Sequence, residues 1–144
     1  MIYLDSSSLL KLLWNEPESS TTIDALAEEN AVVISVLAEM ETLVQLKAAY
    51  LGGDYALPQL RRFEGQLAAF RNQPPYEFRT LPGTVFQTAL RQHRNSGDIH
   101  CRALDRLHLA AMEELKVFRL MTHDQGQAKA AIEAGFEVAR PGRD

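Results

Sequence analysis

The chain has 144 residues, of which 46% are hydrophobic and 24% are charged. This length suits one domain with a core of its own, and this composition argues against a disordered, collagen-like or coiled-coil protein. The net charge of −4 argues against a protein that binds nucleic acid over its whole surface, but it allows a local basic groove. We therefore expect a single domain over residues 1–144.

The sequence carries no recognisable membrane or export signal. The first residues, MIYLDSSSLL, lack the basic and apolar regions of a secretory signal, and no apolar run reaches the roughly 20 residues of a membrane span. Cys101 is the only cysteine, so no disulfide can form within the chain. We expect a cytoplasmic protein with no membrane partner, in which Cys101 is an unreactive thiol.

Hydrophobic periodicity and turn residues predict alternating strands and helices. The predicted strands cover residues 2–4, 31–34, 77–81, 117–121 and 136–138. The predicted helices cover residues 9–14, 17–29, 36–51, 57–70, 82–93 and 102–115, with a last one from residue 124 or 125 to residue 134. Serine hydroxyls are expected to cap the first and third helices. Strands separated by long helices need crossover connections, which predicts an α/β fold with a mainly parallel sheet covered on both faces.

Two aspartates follow predicted strands. Asp5 ends the first strand, and Asp124 follows the strand VFRLM. Ligands of open α/β sheets bind beyond the carboxyl ends of the strands, which makes both residues candidates for a site. Each aspartate also precedes a helix, where aspartate is a preferred N-cap, so capping is the commoner role for either residue taken alone.

A third aspartate, Asp105, lies at the edge of the apolar face of the helix over residues 102–115. On a helical wheel its neighbours are His108 and Leu109, and Arg106 lies on the most polar side. No residue of opposite charge follows one turn ahead. A partly shielded carboxylate without a partner raises its pKa or recruits a cation, and the alternative is an ion pair with a distant arginine or lysine.

The helix over residues 36–51 adds two acids, Glu39 and Glu41. They flank an apolar stripe at similar angles, so periodicity does not choose between them. The residues of this stripe are Val36, Leu37, Met40, Leu43, Val44 and Leu51.

Together, the acids predict one metal site. Several carboxylates within a few ångströms repel one another strongly, and divalent cations relieve that repulsion. The sequence has no Cys or His cluster at zinc spacing. Oxygen ligands therefore favour Mg²⁺ or Mn²⁺ over zinc.

Four segments resemble, in order, the motifs of PIN-domain ribonucleases, and specifically of the VapC-type toxins of bacterial and archaeal toxin–antitoxin pairs. These segments are YLDSSSLLKLLWNEPES, ISVLAEMETLVQL, RALDRLHLAAMEEL and LMTHDQGQAKAAIEAGFEV. The resemblance implies a three-layer α/β/α sandwich around a short, mainly parallel sheet. It also implies a metal-dependent endoribonuclease that cuts RNA, is blocked by a cognate antitoxin protein and commonly forms a homodimer.

The family's site residues carry over to matching positions. Its motif acids, and the hydroxyls that orient them, correspond to Asp5, Asp105, Asp124, Ser7 and Thr122. Members usually place the glutamate six residues after the serine that ends the second strand, which favours Glu41 over Glu39. These acids would hold one or two Mg²⁺ or Mn²⁺ ions, one of which would activate a water for attack on the RNA phosphorus.

Three further residue groups follow from the resemblance. His108 matches a family histidine and is expected to pack or form hydrogen bonds rather than to bind metal. Gly126 replaces a commonly larger residue and is expected to loosen the start of the last helix. The candidate RNA contacts are Lys11, Lys47, Arg61, Arg62, Arg91, Arg94, Arg102 and Arg106, of which only Lys11 and Arg102 lie near motif acids in sequence.

Other functions remain open at this point. The main alternative is a catalytically inactive PIN-like domain that binds RNA or a protein, although the presence of all four acids favours an active site. A DNA-cutting or RNA-processing nuclease of the same fold would share the metal chemistry. A phosphoacceptor signalling domain needs two adjacent acids after the first strand, and IYLDSSS supplies one.

Overall fold

In a computed structural model that describes residues 1–143, five strands alternate with seven α-helices. The strands are β1 (Ile2–Leu4), β2 (Val32–Ser35), β3 (Tyr76–Arg79), β4 (Arg119–Met121) and β5 (Glu137–Ala139). The helices are α1 (Ser6–Leu13), α2 (Ser19–Ala27), α3 (Val36–Leu51), α4 (Leu57–Ala69), α5 (Val85–Asn95), α6 (Ala103–Leu115) and α7 (Gln125–Glu133). Within residues 1–143, none of these helices is long and apolar enough to cross a membrane.

The strands form one parallel sheet in the order β3-β2-β1-β4-β5. β1 is the central strand, where Tyr3 pairs with Val33 on one side and Leu120 on the other. After β1 the chain builds the sheet outward through β2 and β3, and it then returns to the other side of β1 to add β4 and β5. The carboxyl ends of β1 and β4 therefore flank the switch point of the sheet, where open α/β folds bind their ligands.

Alternate residues of β1 face two separate cores. Ile2 and Leu4 pack among the buried residues of α1 to α4, and Tyr3 packs with those of α5, α6 and α7. All three residues are fully buried. The two helical layers thus cover opposite faces of the sheet, because side chains alternate along a strand. This confirms the predicted three-layer α/β/α sandwich.

All the predicted elements are present, with ends that differ from the sequence prediction by no more than three residues. The starts of α5 and α1 differ most, by three residues each. α1 begins at Ser6 because Asp5 caps it by accepting from the Ser8 amide at 3.1 Å. The prediction that serines cap this helix is therefore wrong. α2 begins two residues later than predicted, where Ser19 donates to the Trp14 carbonyl at 2.9 Å and closes the preceding loop.

The apolar stripe of α3 coincides only in part with the side of the helix that is buried. Its buried side consists of Leu37, Ala38, Thr42 and Leu46, whereas Val36, Met40, Val44 and Leu51 are 46 to 71% exposed. Thr42 lies in the core because its hydroxyl donates to the Ala38 carbonyl at 2.7 Å, which satisfies the polar group within the helix.

We expect Leu46→Ala to lower the free energy of unfolding by about 2–5 kcal/mol, because it removes a fully buried side chain from the core that contains Ile2 and Leu4. Val44→Ala is the matched control on the same helix, since Val44 is 62% exposed, and we expect a change within about 0.5 kcal/mol. Urea denaturation of both variants measures this. Equal losses would contradict the observed orientation of α3.

Candidate active site

A cavity of about 500 Å³ lies at the carboxyl ends of β1 and β4. All four predicted acids line it, namely Asp5, Glu41, Asp105 and Asp124. They come from four separate elements: the end of β1, α3, α6 and the cap of α7. The fold therefore brings together every acid that the sequence nominated.

Asp5 is the most deeply buried of these acids, at 4% exposure. Its Oδ1 accepts from Ser7 Oγ at 2.7 Å and from the Ser8 amide at 3.1 Å, and its Oδ2 accepts from Thr122 Oγ1. Burial raises the pKa of the Asp5 carboxyl, and the hydrogen bonds from Thr122 and Ser7 act against that rise. Ser7 and Thr122 thus lie where the sequence prediction placed hydroxyls that orient an acid.

Asp124 forms the cap of α7. Its Oδ1 accepts from the Gln127 amide at 2.9 Å, and its own amide donates to Thr122 Oγ1 at 3.0 Å. A Cβ at Gly126 would approach Asp124 Oδ1 to 3.3 Å, so the glycine leaves room for the capping carboxylate. The expectation that Gly126 loosens this helix is wrong, because the cap is fully formed.

Asp105 is not without a partner, which corrects the helical-wheel argument. Arg102, one turn earlier, donates from Nε to Asp105 Oδ2 at 2.8 Å. The same guanidinium donates from Nη2 to Asp124 Oδ2 at 2.9 Å. Arg102 therefore joins two of the four acids. The helical wheel had considered only the residues that follow Asp105.

Glu41 and Glu39, which periodicity could not separate, have different surroundings. Glu41 lines the cavity, and its carboxylate bonds to His108 Nε2. Glu39 lies outside the residues that line the cavity and pairs with Arg71, whose Nη2 donates to its Oε1 at 2.9 Å. The structure thus places Glu41 with the other acids, in agreement with the choice that the family spacing suggested.

A buried chain of hydrogen bonds leads from Glu41 into the core. His108 Nδ1 lies 2.7 Å from Tyr3 Oη, which lies 2.6 Å from Ser35 Oγ. Burial raises the pKa of Tyr3 further above its ordinary value, so the phenol stays protonated. One order gives every hydrogen an acceptor: Ser35 donates to Tyr3, Tyr3 donates to His108, and Nε2–H of His108 donates to Glu41. His108 forms hydrogen bonds, as predicted.

Most of the predicted basic contacts lie elsewhere. Within residues 1–143, Arg102 is the only arginine or lysine that lines the cavity. Arg106 is 6% exposed and packs against Gln92, so its assignment to the polar side of α6 is wrong. Lys11 pairs with Glu16 and Glu18. Arg61 pairs with Glu64 and Arg91 with Glu113, and neither of these pairs lies at the cavity.

The donor set fits a hard divalent cation in its chemistry, because four carboxylates surround one cavity and none of its lining residues is a cysteine. In the described part of the chain, however, no three Asp, Glu, His or Cys side chains already converge on one point that could hold a metal ion. Each carboxylate faces a donor of the protein instead. Arg102 is the donor for both Asp105 and Asp124. These two acids would have to exchange Arg102 for the metal.

Sequence reasoning missed the roles of Arg102 and Tyr3. Arg102 precedes Asp105 by three residues, a spacing that places two side chains side by side on a helix, and this signal was available. Tyr3 lies between Ile2 and Leu4 and was treated as an apolar strand residue. A buried tyrosine usually finds a partner for its hydroxyl, but no sequence pattern indicates that the partners are Ser35 and His108.

Comparisons with known proteins agree with this architecture. The sequence model of the PIN domain matches residues 2–133. VapC20 from Mycobacterium tuberculosis, described as a toxin that cleaves the sarcin–ricin loop, superposes with a TM-score of 0.72 at 17% identity over 98% of this chain and 100% of that chain. FitAcB from Neisseria gonorrhoeae gives a TM-score of 0.68 at 16% identity over the whole of both chains. FitAB bound to an IR36 DNA fragment gives 0.63 at 16% identity, over 96% of this chain and 94% of that chain. No curated protein sequence matches.

We expect the free energy of unfolding of Asp5→Asn to exceed that of the parent at pH 7. The substitution removes a buried charge, and an asparagine can still cap α1. The folded pKa of Asp5 is raised, so the parent loses stability as the pH rises from about 4 through that folded pKa. The stability gap between the two proteins should open over this window and stay constant above it. Urea titrations from pH 4 to pH 8 measure the gap, and a gap that narrows with rising pH would contradict the raised pKa.

Proposed function

Since the chain belongs to the PIN domain family, we propose that it is a metal-dependent endoribonuclease and the toxin of a type II toxin–antitoxin module. The observation that carries this proposal is the convergence of Asp5, Glu41, Asp105 and Asp124 on one cavity at the switch point of the sheet. The similarity to VapC20, described as a toxin that cleaves the sarcin–ricin loop, supports the choice of substrate class.

The four acids would hold Mg²⁺ or Mn²⁺. When bound, such a cation supplies a Lewis acid that activates water for attack on a phosphodiester and offsets the charge of the substrate. The protein's own groups prepare the acids for this task. Ser7 and Thr122 donate to Asp5 and fix both of its oxygens, and His108 fixes the direction of Glu41. The hydroxyl of Ser7 is occupied in this way, so it is not a free nucleophile.

We propose two protein partners, a cognate antitoxin and a second copy of the chain. A chain of FitAB, described as bound to an IR36 DNA fragment, has this fold, and this similarity supports an antitoxin as a partner here. Exposed apolar side chains supply surface for such contacts, on α3 at Met40 and Val44 and on α5 at Phe86 and Leu90. The cytoplasmic location stays a prediction.

An inactive PIN-like domain that binds RNA or a protein is the second candidate. One observation favours it: Arg102 joins Asp105 to Asp124, and no three acids of residues 1–143 converge on a common point. Activity measurements separate the two functions. A nuclease must bind its metal through Asp105 and Asp124, which requires them to release Arg102, whereas a binding domain does not need this exchange.

We expect the purified protein to cut pooled cellular RNA with Mn²⁺ or Mg²⁺ but not with EDTA, and Asp105→Asn to lower the rate by at least about 100-fold while the fold is retained. Asp24→Asn is the control, because Asp24 lies exposed on α2 and does not line the cavity. Gel analysis of the RNA and circular dichroism of each variant give the readouts. Folded protein that never cuts would favour the binding role, and full activity of Asp105→Asn would remove Asp105 from the mechanism.

The two glutamates of α3 provide a matched pair of substitutions. Glu41→Gln should lower the cleavage rate by at least about tenfold, because Glu41 lines the cavity, and Glu39→Gln should change it by less than about twofold. Single-turnover cleavage measures both variants under one set of conditions. If Glu39→Gln were the damaging change, our assignment of the metal-binding glutamate would be wrong.

A further inference from the structure

We propose that Arg102 is a substrate-binding residue that exchanges partners: it leaves Asp105 and Asp124 when a divalent cation takes their oxygens, and it then binds a phosphate of the RNA. This inference rests on the proposed function, because it concerns how the same site takes up metal and substrate. It begins from the two ion pairs that Arg102 makes at the cavity.

Arg102 occupies the oxygens that a cation would need. Oδ1 of Asp124 is fixed by the Gln127 amide at 2.9 Å, so Oδ2 is the oxygen that remains for another ligand. Arg102 Nη2 bonds to this Oδ2, and Arg102 Nε bonds to Oδ2 of Asp105. A cation that bound both aspartates would therefore compete with Arg102 for Asp124 Oδ2 at least.

Arg102 is also the one partner in the cavity that can leave at little cost. Its side chain is 66% exposed, so water can solvate the guanidinium once it is released, whereas Asp105 and Asp124 are 15% and 35% exposed and would be met by the cation in its place. The partners of Asp5 and Glu41 are different, since Thr122 and His108 are at most 2% exposed and anchored in the cores. The cavity thus has a fixed half, Asp5 and Glu41, and an exchangeable half, Asp105 and Asp124.

The released guanidinium would suit a phosphate. Its planar set of donors matches two phosphate oxygens at once. Lys11, the other candidate cation near a motif acid, pairs with Glu16 and Glu18. Arg106, which follows Asp105 directly, is buried. A phosphate that approaches four carboxylates meets repulsion, and Arg102 is the only arginine or lysine among the described residues that line this cavity.

The first experiment titrates Mn²⁺ alone, without RNA, into the parent protein, Arg102→Ala and Arg91→Ala, and follows binding by calorimetry. Arg91 is the matched control, because it makes an exposed ion pair with Glu113 away from the cavity. We expect Arg102→Ala to bind Mn²⁺ at least about threefold more tightly than the parent, since the competing cation is gone, and Arg91→Ala to match the parent.

The second experiment measures RNA cleavage at saturating Mn²⁺. We expect Arg102→Ala to raise KM for RNA by at least about threefold while kcat changes by less than about twofold, because the lost contact is to bound substrate. Arg102→Lys should have a KM between those of the parent and Arg102→Ala, since lysine keeps the charge but lacks the planar donors.

The outcomes separate this inference from the proposed function. Equal or weaker Mn²⁺ binding by Arg102→Ala would overturn the exchange, even if the parent bound Mn²⁺ and cut RNA. An unchanged KM would overturn the phosphate contact. If none of the three proteins bound Mn²⁺, the metal site of the proposed function would fail together with the exchange.

Discussion

The buried carboxylate of Asp5 is the interaction on which the rest of the site depends. A charge enclosed at the end of the central strand must be met by donors, because an unpaired buried charge costs several kcal/mol. The donors come from Ser7 and Ser8 at the start of α1 and from Thr122 at the end of β4. Satisfying one carboxylate therefore fixes three elements relative to each other at the switch point of the sheet.

The same hydroxyls also position the loop that follows β4. Ser7 Oγ accepts from the His123 amide at 2.9 Å, and Thr122 Oγ1 accepts from the Asp124 amide at 3.0 Å. The geometry of Asp124 at the start of α7 is thus set from Asp5 outward. Solved structures at 16 to 17% identity share this fold.

The sequence was sufficient for the fold and for the set of acids, but not for how those acids are held. Short apolar runs between helices identify the strands, and acids after β1 and β4 identify the edge of the sheet where a site forms. Except for Ser7 and Arg102, which lie within three residues of an acid that they contact, the side chains that hold these acids come from elements distant in sequence, as His108 does for Glu41, and no local pattern encodes them. The buried side of α3 differs from its apolar stripe for a related reason. The Thr42 hydroxyl donates to a carbonyl of the same helix, so Thr42 can be buried like an apolar residue.

The position of Tyr3 has a consequence for which substitutions the interior of this protein tolerates. Its ring fills the core beneath α6, and its hydroxyl joins Ser35 to His108. Replacement by another large apolar residue would preserve the packing of the central strand but leave two buried polar groups without their shared partner. A change at any one of positions 3, 35 and 108 therefore disturbs the hydrogen bonds of the other two. The orientation of Glu41 in the cavity therefore depends on buried residues of β1 and β2 that do not themselves reach the cavity.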